Sequence, residues 1–436
     1  MSTSYRLEET KRERKTLLRS FLAYLGPALM VSIAYMDPGN YGTDLAAGSK
    51  FKYDLVWAVW LASFIAMLLQ YLSGKLGIAT GESLPEMLRK TLKRNLFIIP
   101  YWLAAETAAA STDLAEYLGT VIALNLLFGI PLLYASIIAA FDVIILLAMM
   151  SRRFRFIERF FITLVSVLVL GFLYQLIVVR PEPSQVFYHS FVPSLPNSDA
   201  LLIVVGIIGA TVMPHALFVH SWLSKNKMDI TGREEPEERR YNSKDASDET
   251  REKIRRVHAI ETATMLMIAG MVNVGILLVS TGLSPLEGET IHQAVTGFSV
   301  HFGELVAVAF VVTLLASGLT SSTLGTIAGI VIMDGLLGIK VNVWLRRIVT
   351  RIINVFPTTF AIFLGLDPLS LLVYSQVVLS ILIPLPMIPL VYFTSKRKYL
   401  GRFVNRMLTT VLAVISVCII VIFNGYLILN VLQGRG

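Results

Sequence analysis

Two short runs in this 436-residue chain place chemically capable side chains inside apolar sequence. The first is Asp37-Pro38-Gly39-Asn40, which ends an uncharged apolar run from Gly26 to Met36. A carboxylate at membrane depth costs about 2.5–3.5 kcal/mol on insertion scales, and residues kept at that cost mark ion or substrate paths. Pro38 removes a backbone donor and Gly39 tolerates any backbone conformation, so a helix entering this run breaks. A break in a bilayer frees carbonyls, which is tolerable only where something else satisfies them, such as a cavity or a bound ion. An anionic side chain, an amide and free carbonyls at one point read as a cation site. The second run is Gly209-Ala210-Thr211-Val212-Met213-Pro214-His215, where a proline again sits among apolar residues beside a polar side chain.

The donor types in these runs select among ions. Asp37 and Asn40 supply oxygen and stand three apart, so a partly unwound turn could aim both inward. The carbonyl near Ala210 supplies another oxygen, and Met213 a thioether sulfur. Hard cations such as Mg²⁺ and Ca²⁺ take oxygen only; sulfur favours softer transition metals. A lone methionine more often fills a gap in packing, so Met213 gains weight as a ligand only from its place opposite Asp37.

Titratable groups at membrane depth are Asp37, Glu106, Asp113, Glu116, His215 and His220. Asp113 and Glu116, three apart, share a helical face, and histidine is the side chain whose unperturbed pKa lies nearest neutrality. Arg351 could pair with a carboxylate, because a lone buried charge is costly. Together they form a candidate proton path. Each also has a plainer reading: His220 facing a polar crevice, Glu106 and Asp113 hydrogen-bonding between packed helices, Arg346 and Arg347 anchoring a helix at the inner surface.

Composition says what must position these groups. The chain is 55% hydrophobic with 16% charged residues and a mean hydropathy of +0.67, against roughly 25% charged in soluble domains. That is an all-α polytopic membrane protein. Hydropathy gives about eleven spans of the roughly 20 residues a bilayer needs. They lie near 20–47, 54–79, 98–125, 131–150, 156–179, 199–224, 258–282, 302–337, 345–366, 368–394 and 404–432, the eighth long enough for two pieces. Basic residues cluster in alternate loops, as in Arg89, Lys90, Lys93 and Arg94 or Arg152, Arg153, Arg155 and Arg159. That places the N-terminus in the cytoplasm and the C-terminus outside. The same pattern absorbs the net charge of +8, so no nucleic-acid partner is needed. Residues 1–19 read as a cytoplasmic tail, 20–432 as one transmembrane domain, and 225–256 as a charged cytoplasmic loop. The stretch Tyr5–Arg19 is too charged for a cleavable signal peptide. One cysteine, Cys418, excludes an internal disulfide. There is no Walker loop, GxGxxG, HExxH or CxxC, so an enzyme is not expected.

The two breaks fall in the first and sixth spans. Those spans are equivalent if the chain holds two five-span halves, about 20–179 and 199–394, with an extra helix at about 404–432. An odd number of spans per half inverts one half relative to the other. Paired interruptions in corresponding spans are the best sequence pointer to a transporter's substrate site. Pro214 alone reads as an ordinary kink; two breaks, each beside a metal-capable side chain, do not.

At these residues the chain resembles the Nramp family of proton-coupled divalent transition-metal transporters. Asp37-Pro38-Gly39-Asn40 matches the family's first-helix motif and Met213-Pro214-His215 its sixth-helix motif. The likeness runs from about Gly26 to Leu400 and includes Gln70–Gly81, Thr112–Glu116, Ala316-Ser317-Gly318 and Ser375–Ser380, whose Gln376 joins the candidate metal set. The resemblance implies a LeuT-type inverted five-plus-five fold and import of Mn²⁺ or Fe²⁺ with protons by alternating access. The metals are cargo, and no cofactor is implied. It also assigns His215, Asp113, Glu116 and the ninth-span arginine to proton movement. The chain departs from the family pattern at Ala216, Leu319 and Leu382, and its 225–256 loop is long. An organic-solute symporter on the same architecture is the alternative, disfavoured because Asp37 would repel a substrate carboxylate. A membrane metalloenzyme would need a catalytic base beside a metal-bound water, which these donors do not supply.

Overall fold

The computed structural model describes residues 35–92, 95–141, 154–225 and 247–433. Helices fall, at least in part, on each of the eleven expected spans. In order they are α1 (Pro38–Phe51), α2 (Val56–Thr80), α3 (Leu84–Leu92), α4 (Asn95–Phe128), α5 (Leu132–Ala139), α6 (Phe154–Val179), α7 (Pro183–Phe191), α8 (Ser198–Val212) and α9 (Pro214–Lys225). There follow α10 (Asp248–Ser280), α11 (Ile291–Phe302), α12 (Glu304–Leu337), α13 (Val343–Phe363), α14 (Pro368–Leu382), α15 (Pro384–Ser395), the single turn α16 (Arg397–Leu400) and α17 (Met407–Leu432). No strand occurs among the described residues.

Among the described residues, six helical stretches are long and apolar enough to cross a membrane by length and composition, or seven if Ser166–Val179 and α7, bent by 116°, count as one. Helices α4 and α13 fall short because of the charged residues they carry, which bear on the site below. The eighth span is one continuous helix, α12, rather than two pieces. Within the segment 225–256, α10 starts at Asp248, with Ser247 capping it through Thr250 N at 3.3 Å. Asp248 and Glu249 favour that helix start through the macrodipole. Residues 226–246, and with them most of the expected loop, lie outside the described residues, as do residues 1–34 and Arg152 and Arg153 of the fourth-to-fifth connection.

Sequence chemistry sets the helix ends. Asn197 accepts Ala200 N at 2.9 Å and Asp367 accepts Ser370 N at 2.9 Å ahead of Pro368. Thr290 and Gln293 close a reciprocal capping box on α11, the arrangement that satisfies two orphan donors at once. The tenth span carries an interruption absent from the hydropathy reading, where α14 gives way to α15 at Ile383–Pro384. At the end of α9, Lys225 Nζ lies 2.6 Å from Glu86 Oε1 of α3. Burial opposes ionisation of Glu86, but the bonds from Lys225 and Ser83 hold its carboxyl below the usual range.

The interior is built around α1 and α8, which the other helices enclose. From Pro38 to Ser49, α1 is buried throughout. Helix α17 lies at the other extreme, with 28% of its most apolar window inside the protein; Met407, Leu408, Ile422 and Leu432 face outward, as lipid contact requires. It is tied to α14 by two hydrogen bonds: Ser380 Oγ donates to Asn424 Oδ1 at 2.8 Å, and Asn424 Nδ2 donates to the Ser380 carbonyl at 2.7 Å.

Candidate functional site

Helix α1 starts at the first break. Pro38 occupies its first turn, where a missing N–H costs nothing, and Asp37 is its N-cap with extended backbone. Asp37 Oδ1 accepts Asn40 N at 2.9 Å and Asn40 Nδ2 at 2.8 Å. Both residues are fully buried. The cap leaves Asp37 Oδ2 without a donor among the described residues. Asn40 Oδ1 in turn accepts a bond from Thr211 Oγ1 at 3.1 Å, which joins the first break to the second.

Protein groups take up the carbonyls freed by this break. Tyr35 O accepts Asn40 Nδ2 at 3.2 Å and Asn273 Nδ2 at 3.1 Å, and Met36 O accepts the Ser317 hydroxyl. These oxygens are therefore committed, in contrast to the free carbonyls expected there. Asn273 lies outside the sequence-derived set. The signal that finds it is an isolated amide in the apolar run Met271-Val272-Asn273-Val274.

The second break separates α8 from α9 at Met213, whose backbone takes φ 34°, ψ 97°. A positive φ is rare outside glycine and costs of order 1–3 kcal/mol, and such strain clusters at ligand clamps and active sites. Pro214 has no N–H, so the Ala210 carbonyl four residues back loses its helical donor. Met213 is fully buried and belongs to the same apolar cluster as Tyr35 and Met36, the residues leading into Asp37. Gln376 of α14 reaches into the crossing where two glycines leave room. A Cβ at Gly39 would fall on the Gln376 side-chain amide, and one at Gly209 on the Gln376 carbonyl oxygen. Gln376 Nε2 donates to Ser375 Oγ at 2.9 Å, while its Oε1 has no donor among the described residues.

The structure thus brings Asp37, Asn40, Thr211 and Gln376 to one crossing, with Met213 in the apolar cluster that also holds Tyr35 and Met36. Among the described residues, no three His, Cys, Asp or Glu side chains form a metal-binding group.

The titratable residues sort into two strings and one separate pair. In the first string, His215 Nδ1 lies 3.0 Å from Thr112 Oγ1, and Asp113 follows Thr112 on α4. Asp113 Oδ2 accepts Asn354 Nδ2 at 2.5 Å, and Arg351 Nη2 stands 3.9 Å from Asp113 Oδ1. The Arg351 guanidinium lies 4.9 Å from the Tyr117 ring centroid. Glu116 faces α12, where a Cβ on Gly325 would come within 2.9 Å of its Oε2. The expected arginine–carboxylate pairing is present, and this string leads from Met213 to α13.

The second string runs elsewhere. His220 Nδ1 is 2.7 Å from Gln70 Oε1, Gln70 Nε2 donates to Tyr35 OH at 2.6 Å, and His220 meets His258 edge to face at 4.9 Å. His220 thus meets Gln70 and His258, while His215 meets Thr112. Glu106 forms a third unit: it pairs with Arg346, both side chains being half-buried. The Arg347 side chain lies outside the described residues. Of the departures, Ala216 is buried beside His215, Leu319 is half-buried in α12, and Leu382 ends α14.

Comparison with known proteins agrees with this architecture. The family model described as natural resistance-associated macrophage protein-like (Nramp) matches residues 28–430. The divalent metal cation transporter MntH of Caldanaerobacter subterraneus is 38% identical over 98% of this chain and 99% of that protein. The MntH of Bacillus subtilis is 37% identical over 94% of this chain and 93% of that protein. Among solved structures, the Eremococcus coleocola manganese transporter in complex with an aromatic bis-isothiourea compound superposes with a TM-score of 0.81 at 30% identity. It covers 94% of this chain and 86% of its own. The inward-facing conformation of Mhp1 shares the fold alone, with a TM-score of 0.55 at 16% identity over 94% of this chain and 91% of its own.

Proposed function

Since this chain belongs to the Nramp family and is an integral-membrane metal-ion transporter of LeuT-type fold rather than an enzyme, we propose that it imports Mn²⁺ and Fe²⁺ together with protons by alternating access. Asp37 Oδ2, Asn40, the Ala210 carbonyl, Met213 sulfur and Gln376 Oε1 take the ion. The observation that carries this is the Asn40–Thr211 bond, which ties the Asp37-capped start of α1 to the end of α8 beside the strained Met213. Asn40 holds Asp37 in place through its backbone and side-chain donors, and Thr211 holds Asn40. Each half-helix can swing about its break while its own hydrogen bonds stay intact, which lets the site face either side in turn. The N-terminus lies in the cytoplasm and the C-terminus outside, in the plasma membrane; the two inverted halves are about 20–179 and 199–394, with α17 outside the repeat. The relatives named MntH and the manganese transporter from Eremococcus coleocola support this choice of cargo.

Selectivity is the sharpest test. With Met213→Ala the site becomes oxygen-only, and Ca²⁺ then competes with Mn²⁺ about tenfold more effectively, a change of about 1.4 kcal/mol in relative affinity. Isothermal titration of both ions on purified protein measures it; identical competition in wild type and variant removes the sulfur from the site.

The string His215–Thr112–Asp113–Arg351 carries the protons, with Glu116 beside it; the Glu106–Arg346 pair and His220 are further members of the path. Asp113→Asn keeps the bond geometry to Asn354 but cannot release a proton. It is expected to leave Mn²⁺ uptake measurable while abolishing the acidification that accompanies uptake in liposomes carrying a pH dye. Wild-type acidification by this variant sinks the assignment. No observation favours the organic-solute symporter, since the anion at Asp37 sits where such a substrate would need a positive helix end.

A further inference from the structure

The face of α1 that carries Asp37 and Asn40 continues to a third polar residue that the site does not use. Asp44 stands four residues beyond Asn40 and seven beyond Asp37, hence on the same side of the helix and about 10 Å further along its axis. It is fully buried, and neither carboxylate oxygen meets a hydrogen-bond donor among the described residues. Because α1 is buried from Pro38 to Ser49, the side chain has no nearby surface to reach.

Its surroundings are defined by contacts on either side. Gly42 lies against Leu372 and Thr43 against Gly206, while Gly48 is pressed onto the Leu277 carbonyl and Ser280 of α10. Helix α10 thus follows α1 from the level of Tyr35, where Asn273 is bonded, to the level of Gly48, and Asp44 falls between the two. A second buried oxygen with no donor among the described residues, Asn273 Oδ1, lies back at the level of Tyr35, beside the central site. A buried carboxylate is tolerated when donors or a cation compensate it. At Asp44 no donor occurs among the described residues, and the nearest charged group along the helix face is Asp37 of the candidate ion site.

We propose that Asp44 is a second cation station, an oxygen-only site that divalent ions occupy between the outer solution and Asp37. This rests on the reading of Asp37 and Met213 as the central site and on α1 running outward. The station lacks sulfur, so it does not discriminate: hard ions fit a carboxylate as well as Mn²⁺ does. Selection falls to Met213, one step later. Ca²⁺ can therefore inhibit by occupying Asp44 without ever reaching the central site.

The test is Mn²⁺ uptake into proteoliposomes by the full chain, with and without excess external Ca²⁺, alongside Mn²⁺ titration of the purified protein. Asp44→Asn is expected to raise KM about tenfold with kcat changed less than about twofold, the signature of a lost loading step. Inhibition by Ca²⁺ weakens by a similar factor, Mn²⁺ binding to the purified protein persists, and Asp44→Glu restores uptake. An unchanged KM overturns the proposal. So does loss of Mn²⁺ binding in Asp44→Asn, which makes Asp44 part of the central site. Failure of the central reading shows separately, as wild-type uptake by an Asp37 variant.

Discussion

Asp37→Ala is expected to reduce Mn²⁺ uptake to the background of empty liposomes, a loss of about 100-fold or more, equivalent to about 2.7 kcal/mol or more. Among the five groups proposed to take the ion, Asp37 alone carries charge; Asn40, the Ala210 carbonyl, Met213 and Gln376 are neutral. A dication leaving water for this crossing keeps only that one formal counter-charge. Alanine also removes an N-cap, which costs about 1 kcal/mol of helix stability. Asp37→Asn separates the two effects, because asparagine caps about as well as aspartate and can still accept the Asn40 bonds now made to Oδ1. The asparagine variant should melt near wild type and transport nothing. Robust uptake by either variant means the ion is held elsewhere.

The second large effect concerns a residue with no side chain. Gly209→Ala places a Cβ where the Gln376 carbonyl now lies. The obstacle is backbone, so it cannot turn aside as a flexible side chain would; α8 and α14 must separate. Overpacking of this kind costs about 1–3 kcal/mol, and the displacement falls on Ala210 and Gln376, both in the proposed ion set. Uptake should fall at least about tenfold, with a lower melting temperature. Gly425→Ala on α17 is the control, since nothing lies within 4 Å of its added Cβ, and both quantities should stay at wild-type values. Equal behaviour of the two variants would show that close approach at Gly209 has no bearing on transport.

The breaks were legible because their causes are local. Proline lacks a donor wherever it sits, and although Pro100 and Pro357 lie inside continuous helices, Pro38 and Pro214 each open a helix behind Asp37 and Met213, whose side chains announce the chemistry. The pairing of Arg351 with a carboxylate was legible for a similar reason: an isolated charge in a span has to be met. What the sequence hides is the identity of partners brought together by packing. Nothing in the spacing of Asn273 or Ser317 says that they receive the carbonyls of Tyr35 and Met36 across more than 230 positions. His215 and His220 stand five apart on one short helix and look like neighbours in a path. Yet five residues turn a helix by well over a full turn, and the two rings leave toward Thr112 and Gln70 respectively.

The two hydrogen bonds between Ser380 and Asn424 fasten α17 to α14 one turn beyond Gln376. Helix α17 has most of its surface turned away from the protein. Any tilt of α14 that carries Gln376 toward or away from Asp37 therefore drags a lipid-facing wall sideways through the acyl chains. The thickness and stiffness of the surrounding hydrocarbon become part of the energy surface on which the central glutamine moves.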